Sequence, residues 1–143
     1  MDRDSLVLAA LCPAKGTPYS PVQVQKLLFL IDKNVPKNVG GPHFDFRPYA
    51  YGPFDQIVYL VLEDLAKRGL VSVNEEAGRR WRTYCLTAEG QQIGEACLKK
   101  LDEKTALYIS KLSEFVHKLS FAELVSAIYK AYPDMKVNSV FKE

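Results

Sequence analysis

The ten residues LEDLAKRGLV, at positions 62–71, carry the strongest signal for local structure in this chain. Apolar and charged residues are spaced as on a helix up to Arg68, and Gly69 stands where a left-handed residue commonly ends a helix. Leu70 and Val71 begin a short apolar stretch that is typical of a strand. The sequence therefore predicts a helix over 53–68 that leads directly into a strand over 70–73.

The predicted helix over 53–68 has two different faces. Steps of 100° per residue bring four apolar side chains within about 40° of one another, which predicts a core-facing side. These four residues are Phe54, Val58, Val61 and Leu65. The opposite face, which would meet whatever the helix meets, carries Gln56, Tyr59, Leu60, Glu63 and Lys67.

A hairpin and further helices are predicted downstream. A polar turn over 75–80 separates the first strand from a returning strand over 81–86. Thr87 is a suitable N-cap for the next helix, and the capping box formed by Ser120 and Glu123 opens the last one. An amphipathic stretch that ends near position 118 lies between them. The predicted fold is thus mainly α with a small β-hairpin.

Upstream, two helices and an aromatic loop are predicted. A short helix over 2–11 precedes a second one that begins at Ser20 and Pro21 and runs to about Asn34. The prolines and glycines of residues 35–53 favour loop and short extended pieces. Five aromatic residues crowd this region: Phe44, Phe46, Tyr49, Tyr51 and Phe54. We expect them to be largely buried on the core, the alternative being an exposed aromatic surface that stacks on bases or receives a partner segment.

The order helix, helix, helix, hairpin, helix is that of a winged-helix domain. Residues 62–71 resemble the end of its third helix and the start of its wing, and LTAEG at 86–90 is similar to the segment that follows the wing in many regulators. QKLLFL at 25–30 and YGP at 51–53 also resemble the Panacea or SocA-like antitoxin family and the related YwgA-like proteins. These resemblances imply DNA-binding regulation or, as in SocA-like members, protein-binding adaptors and toxin neutralisers. The long segment 35–53 departs from the short turn of helix-turn-helix proteins.

Length and composition predict one folding unit in a soluble protein. The chain has 143 residues, of which 48% are hydrophobic, and its apolar runs, among them 57–62, are too short to span a membrane. We expect a winged-helix-like domain over 1–103. A helical extension over 104–143 is expected to belong to the same folding unit or to form a homodimer through 104–132. The lack of a signal-peptide pattern and the three widely spaced cysteines favour the cytoplasm.

No pattern for catalysis or metal binding is found. Neither of the two histidines, His43 and His117, lies at ligand spacing from a cysteine or carboxylate, and no phosphate-binding glycine loop occurs. We therefore predict no enzyme activity, no metal and no cofactor.

Two candidate binding sites are predicted. The net charge of +2 is too small for a nucleic-acid binder identified by bulk charge, so a basic site must be local. For duplex DNA the candidates are Arg79, Arg80 and Arg82 at the hairpin tip, with Lys67, Gln56 and Tyr59 on the third helix. For a protein partner they are Phe46, Tyr49, Tyr51, Tyr59 and Leu60. A DNA-binding regulator, acting as a dimer, is the main hypothesis; a protein-interaction adaptor or toxin-neutralising module is the alternative.

Overall fold

The computed structural model describes residues 1–75 and 81–142 and confirms the mainly helical fold with a small hairpin. The helices are α1 (Arg3–Leu11), α2 (Pro21–Asn34), α3 (Ile57–Lys67), α4 (Ala88–Lys99), α5 (Glu103–Lys118) and α6 (Phe121–Ala131). The strands are β1 (Arg47–Tyr49), β2 (Gly52–Phe54), β3 (Val71–Asn74) and β4 (Thr83–Leu86). Among these helices, none combines the length and the apolar character that crossing a bilayer requires.

The predicted capping signals all act at the helix starts. Ser20 Oγ accepts from the Gln23 amide at 3.3 Å, and the Gln23 side chain accepts from the Ser20 amide at 2.8 Å. Ser120 and Glu123 form the same reciprocal pair at the start of α6. Each capping box satisfies two backbone donors that the first helical turn leaves without partners, so these boundaries follow directly from the sequence.

The predicted start of α3 at Pro53 is wrong, because the preceding residues form a second hairpin. Strands β1 and β2 pair antiparallel, with Arg47 opposite Phe54 and Tyr49 opposite Gly52. Helix α3 begins only at Ile57, whose amide donates to Asp55 Oδ1 at 2.9 Å. Phe54 therefore lies on a strand rather than on the core face of the helix. The prediction of a single hairpin is corrected to two.

The other hairpin agrees with the sequence prediction, and one residue from outside it pairs with its second strand. Strands β3 and β4 pair antiparallel, with Val71 opposite Leu86 and Asn74 opposite Thr83. Tyr19 adds an isolated bridge to Tyr84, with hydrogen bonds of 2.7 and 2.9 Å between their backbones. The tip at 76–80, which includes Arg79 and Arg80, lies outside the described residues.

Helices α5 and α6 complete the same hydrophobic core that α1, α2 and α3 form. Ile109 and Val116 of α5 are fully buried beside Leu28 and Ile31 of α2 in one contiguous cluster. The Tyr19 hydroxyl shares a 2.7 Å hydrogen bond with Ser113 Oγ of α5 inside this core. The core of the first 103 residues thus continues into residues 104–132.

Two glycines let α4 approach its neighbours very closely. A Cβ atom at Gly94 would lie 2.5 Å from the carbonyl oxygen of Leu8 in α1, and one at Gly90 would overlap the carbonyl oxygen of Leu70. The sequence pattern only indicates that glycine is tolerated in this helix. The structure shows that both positions exclude every larger side chain without a backbone shift.

Candidate functional site

An open groove of about 830 Å³ lies between α2, the β1–β2 hairpin and the start of α6. We call it the aromatic groove, because six of its lining residues are aromatic: Tyr49, Tyr51, Phe54, Tyr59, Trp81 and Phe121. Side chains of α2 complete it, among them Val22, Gln25 and Lys26. Its size and apolar lining fall in the range of sites that bind small molecules or anchor residues of partner proteins.

The β1–β2 hairpin positions two tyrosines at this groove. Tyr49 packs edge-on against Phe54, with ring centroids 5.0 Å apart, and Tyr51 packs in the same way against Phe121 at 5.2 Å. Gly52, the residue after Tyr51, has φ +102°, and a Cβ there would lie 3.3 Å from Tyr129 Cε1. Glycine therefore provides both the backbone conformation and the space that the turn needs.

The C-terminal segment fixes the same hairpin from behind. The Val140 amide donates to the Ala50 carbonyl at 3.0 Å, and Asn138 Nδ2 donates to the Pro48 carbonyl at the same distance. Phe141 also contacts Phe121 and Tyr129, with centroids 6.0 and 6.5 Å away. One wall of the aromatic groove is thus held by residues 138–141.

The prediction that the aromatic segment is largely buried is wrong for its two tyrosines. Tyr49 is 54% exposed and Tyr51 is 45% exposed. Phe44 and Phe46 are only partly buried, and Phe46 packs edge-on against Phe29 at 5.6 Å. The segment therefore divides into a portion attached to the core and a portion that faces the groove.

Lys26 is a buried cationic residue in the lining of the groove. It is only 3% exposed, and Nζ donates a hydrogen bond to the Pro53 carbonyl at 3.2 Å. Burial lowers the pKa of this lysine to about 7, because the charged form loses its hydration. Among the described residues, no carboxylate forms an ion pair with it.

The two glutamines of the groove are already engaged within the protein. Gln25 holds both the amide and the carbonyl of Asp55, each at 3.0 Å. Gln23 donates to the Val116 carbonyl at 3.2 Å while its oxygen caps α2. Both glutamines are therefore occupied, and Lys26 is the charged side chain among the described residues of the lining.

The predicted DNA-binding residues do not form one basic surface among the residues that are described. Arg82 pairs with Glu75 at 2.6 Å and approaches Glu63 of α3 at 3.8 Å, and Glu75 raises its pKa. Lys67 and Gln56 are exposed at opposite ends of α3. Arg79 and Arg80 fall within the tip that is not described.

The predicted partner-binding residues are only partly brought together. Tyr49, Tyr51 and Tyr59 line the aromatic groove, whereas Phe46 and Leu60 do not. Tyr59 was expected on the exposed face of α3, but it is half-buried and stacks on Tyr84 at 6.1 Å. Its burial raises the pKa of its hydroxyl to about 12. Tyr59 is less exposed than its neighbours on this face because the rings of Phe54 and Tyr84 pack against it.

Sequence reasoning missed Lys26, Trp81 and Phe121 as members of the groove. The available signal was Lys26 itself, a charged residue beside the apolar stripe of α2 that ordinary helix patterning would leave in solvent. Trp81 and Phe121 come from distant parts of the chain, so no local pattern places them together. Within residues 1–75 and 81–142, no group of His, Cys, Asp and Glu side chains is arranged to hold a metal ion.

Comparison with known proteins does not add a family assignment. The chain matches no protein-family model, and no curated protein is significantly similar to it.

Proposed function

We propose that this protein is a non-enzymatic protein-interaction module, an adaptor whose aromatic groove takes a short apolar segment of a partner protein. The observation that carries this proposal is the gathering of six aromatic side chains around one open groove of about 830 Å³. Tyr49, Tyr51 and Trp81 are each about half exposed there. Tyrosine and tryptophan are enriched at the energetic centres of protein interfaces, because they bury a large area with little loss of conformational freedom.

Exposed aromatic rings in a folded protein need a reason. Contiguous apolar patches of several hundred Å² are uncommon on monomers unless a partner covers them. The groove is also held in shape before any partner arrives, by the edge-on ring contacts and by the bonds from residues 138–140 to the hairpin. Such preorganisation reduces the ordering cost of binding.

DNA binding by a winged-helix regulator is the rival function. The element order and the bridge between Tyr19 and Tyr84 support the winged-helix interpretation of the fold. The charges favour the adaptor, because Arg82 faces two carboxylates and α3 exposes Glu63 and Asp64 where DNA phosphates would approach.

A homodimer through 104–132 stays a proposal, supported by exposed Leu107 and Phe115 on α5.

A photo-crosslinking experiment tests the adaptor function. A benzophenone amino acid replaces Tyr51 in the groove or, as the matched control, Leu60 on the exposed side of α3 in full-length protein. We expect the probe at position 51 to crosslink one defined protein in cells and the probe at position 60 not to do so. The crosslink should disappear when Phe121 is also changed to Ser.

A DNA titration of the same protein tests the rival. We expect no affinity for random duplex DNA at about 50 mM salt, where electrostatic binding is strong. Binding that depends on Arg79, Arg80 and Arg82, together with no crosslink at position 51, would replace the adaptor by the regulator.

A further inference from the structure

Lys26 has more hydrogen-bonding capacity than the protein uses. A lysine ammonium has three N–H donors, and the structure pairs one of them, with the Pro53 carbonyl. No second acceptor lies within hydrogen-bond distance among the described residues. A buried cation is costly unless an anion or several acceptors compensate its lost hydration. The lining of the aromatic groove therefore contains an incomplete cationic site.

The ligand that completes this site has a defined chemistry. It must bring an anionic acceptor to Lys26 and apolar surface to the rings around it. It must also bring few other polar groups, because Gln23 and Gln25 already bond to the protein itself. A backbone N–H or C=O that enters the groove without a partner would lose the free energy of its hydrogen bonds to water.

We propose that the groove binds the apolar C-terminal residue of a partner protein and that Lys26 pairs with its terminal carboxylate. This inference rests on the adaptor function proposed above. A chain end supplies the carboxylate and the apolar side chain from one residue, and the chain enters the groove from one side only. An internal Asp or Glu would bring two chain continuations, each with backbone groups that the occupied glutamines do not satisfy.

Short peptides test the proposal without knowledge of the partner. The probes are N-acetyl tetrapeptides that end in Leu, Phe or Val, each prepared as the free acid and as the amide. An amidated tetrapeptide with an internal Asp and decanoate serve as the alternative carboxylates. Binding to full-length protein is followed by the fluorescence of Trp81, the single tryptophan of the chain and part of the groove lining.

We expect at least one free acid to bind about ten- to a hundredfold more tightly than its amide, as for a charge-assisted hydrogen bond. Lys26→Met should remove this difference. The matched control Lys33→Met, which changes an exposed lysine of the same helix, should keep it. The comparison of acid with amide is made on the unaltered protein, so it remains decisive even if Lys26→Met fails to fold.

The other outcomes overturn the proposal in distinguishable ways. Equal binding of acid and amide, or tightest binding of the internal-Asp peptide, refutes recognition of a chain end and leaves the adaptor function intact. Binding of decanoate alone assigns the site to a small carboxylate instead. Binding of no probe refutes the carboxylate role of Lys26, while the crosslink from position 51 still decides the adaptor function independently.

Discussion

Helix α2 carries two buried charges, Lys26 and Asp32, whose surroundings differ sharply. Asp32 is 8% exposed, and its carboxylate accepts from the backbone amides of His43 and Phe44 at 2.8 to 3.0 Å. Lys26 is even more buried and, in the part of the chain that the structure describes, has a single carbonyl as its partner. Asp32 therefore fastens the loop after α2 to the helix, and its hydrogen bonds are made within the protein. Lys26 lies beside an open groove with donors to spare.

The comparison separates a structural buried charge from a candidate functional one. Buried polar groups in native proteins are almost always hydrogen-bonded, so each incompletely satisfied group needs an explanation. The loop that Asp32 holds has a further attachment, because the Arg3 guanidinium donates to the His43 carbonyl at 2.6 and 2.9 Å. Within residues 1–75 and 81–142, nothing comparable supports Lys26.

Removal of the Asp32 carboxylate should have the largest effect on stability. Asp32→Ala leaves the amides of His43 and Phe44 without their acceptor, and each such loss costs about 1 to 3 kcal/mol. We expect the free energy of unfolding to fall by about 3 kcal/mol in urea titrations. Glu114→Ala, which removes an exposed carboxylate from α5, should change it by less than about 0.5 kcal/mol. Equal effects of the two changes would contradict a structural role for Asp32.

The charge of Lys26 should make stability depend on pH. Its pKa is about 7 in the folded protein and 10.5 in the unfolded chain, so between these values only the unfolded state holds the proton. The destabilising effect of this group is therefore absent above pH 10.5 and complete below about pH 7. We expect the stability of the unaltered protein, relative to Lys26→Met, to rise by about 2 kcal/mol from pH 7 to pH 9.

Urea titrations at several pH values measure this effect. Groups other than Lys26 cancel in the difference between the protein and Lys26→Met. Lys33→Met, the exposed control on the same helix, should run parallel to the unaltered protein. Parallel curves for Lys26→Met as well would show that the buried lysine keeps its ordinary pKa.

The effect of removing an aromatic ring from the segment 44–54 should depend on whether the ring lies near Asp32 or at the aromatic groove. Phe46 packs on Phe29 and Phe44 near the Asp32 loop, so Phe46→Ala should lower the free energy of unfolding by about 2 kcal/mol. Tyr51 is half exposed at the groove, so Tyr51→Ala should lower the free energy of unfolding by less than about 1 kcal/mol. Tyr51→Ala should nevertheless abolish peptide binding in the Trp81 assay, and Phe46→Ala should not. If Phe46→Ala abolished peptide binding and Tyr51→Ala did not, the binding surface would lie near Asp32 instead.

Removal of the exposed charge of Arg82 should have the smallest effect on stability and on peptide binding. Arg82 is half exposed and pairs with Glu75 and Glu63 at the surface. Solvated ion pairs contribute little, so Arg82→Ala should leave the urea midpoint and the binding of free-acid peptides unchanged. Loss of peptide binding in this variant would show that the cation of the site lies on the β3–β4 hairpin rather than on α2.

The sequence predicts those parts of the fold that depend on neighbouring residues. The capping boxes at Ser20 and Ser120 mark helix starts because both partners of each hydrogen-bond pair lie within four positions. The β1–β2 hairpin was missed because Pro48 and Pro53 argue against strands. They stand opposite each other in a two-stranded ladder, where both strands are edges and proline is tolerated.

The groove and the close helix contacts depend on residues that are distant in sequence. Nothing near Gly94 indicates that the Leu8 carbonyl will lie against it, and nothing near Lys26 indicates that Trp81 and Phe121 will share its groove. The aromatic crowding over 44–54 did indicate a binding surface as an alternative to burial. Which of its rings would remain exposed was decided by the packing of Phe29, Phe121 and the C-terminal segment.

The attachment of residues 138–140 to the β1–β2 hairpin also bears on when the groove forms during synthesis. The bond from Asn138 to Pro48 joins residues 90 positions apart, and the bond from Ser139 to Ala50 joins residues 89 apart. Contacts of such long sequence separation close late, because the loop between them must first be ordered. On a ribosome the hairpin emerges long before residues 138–140 that hold it. We therefore expect a nascent chain to form the aromatic groove only after residues 138–140 have left the ribosome.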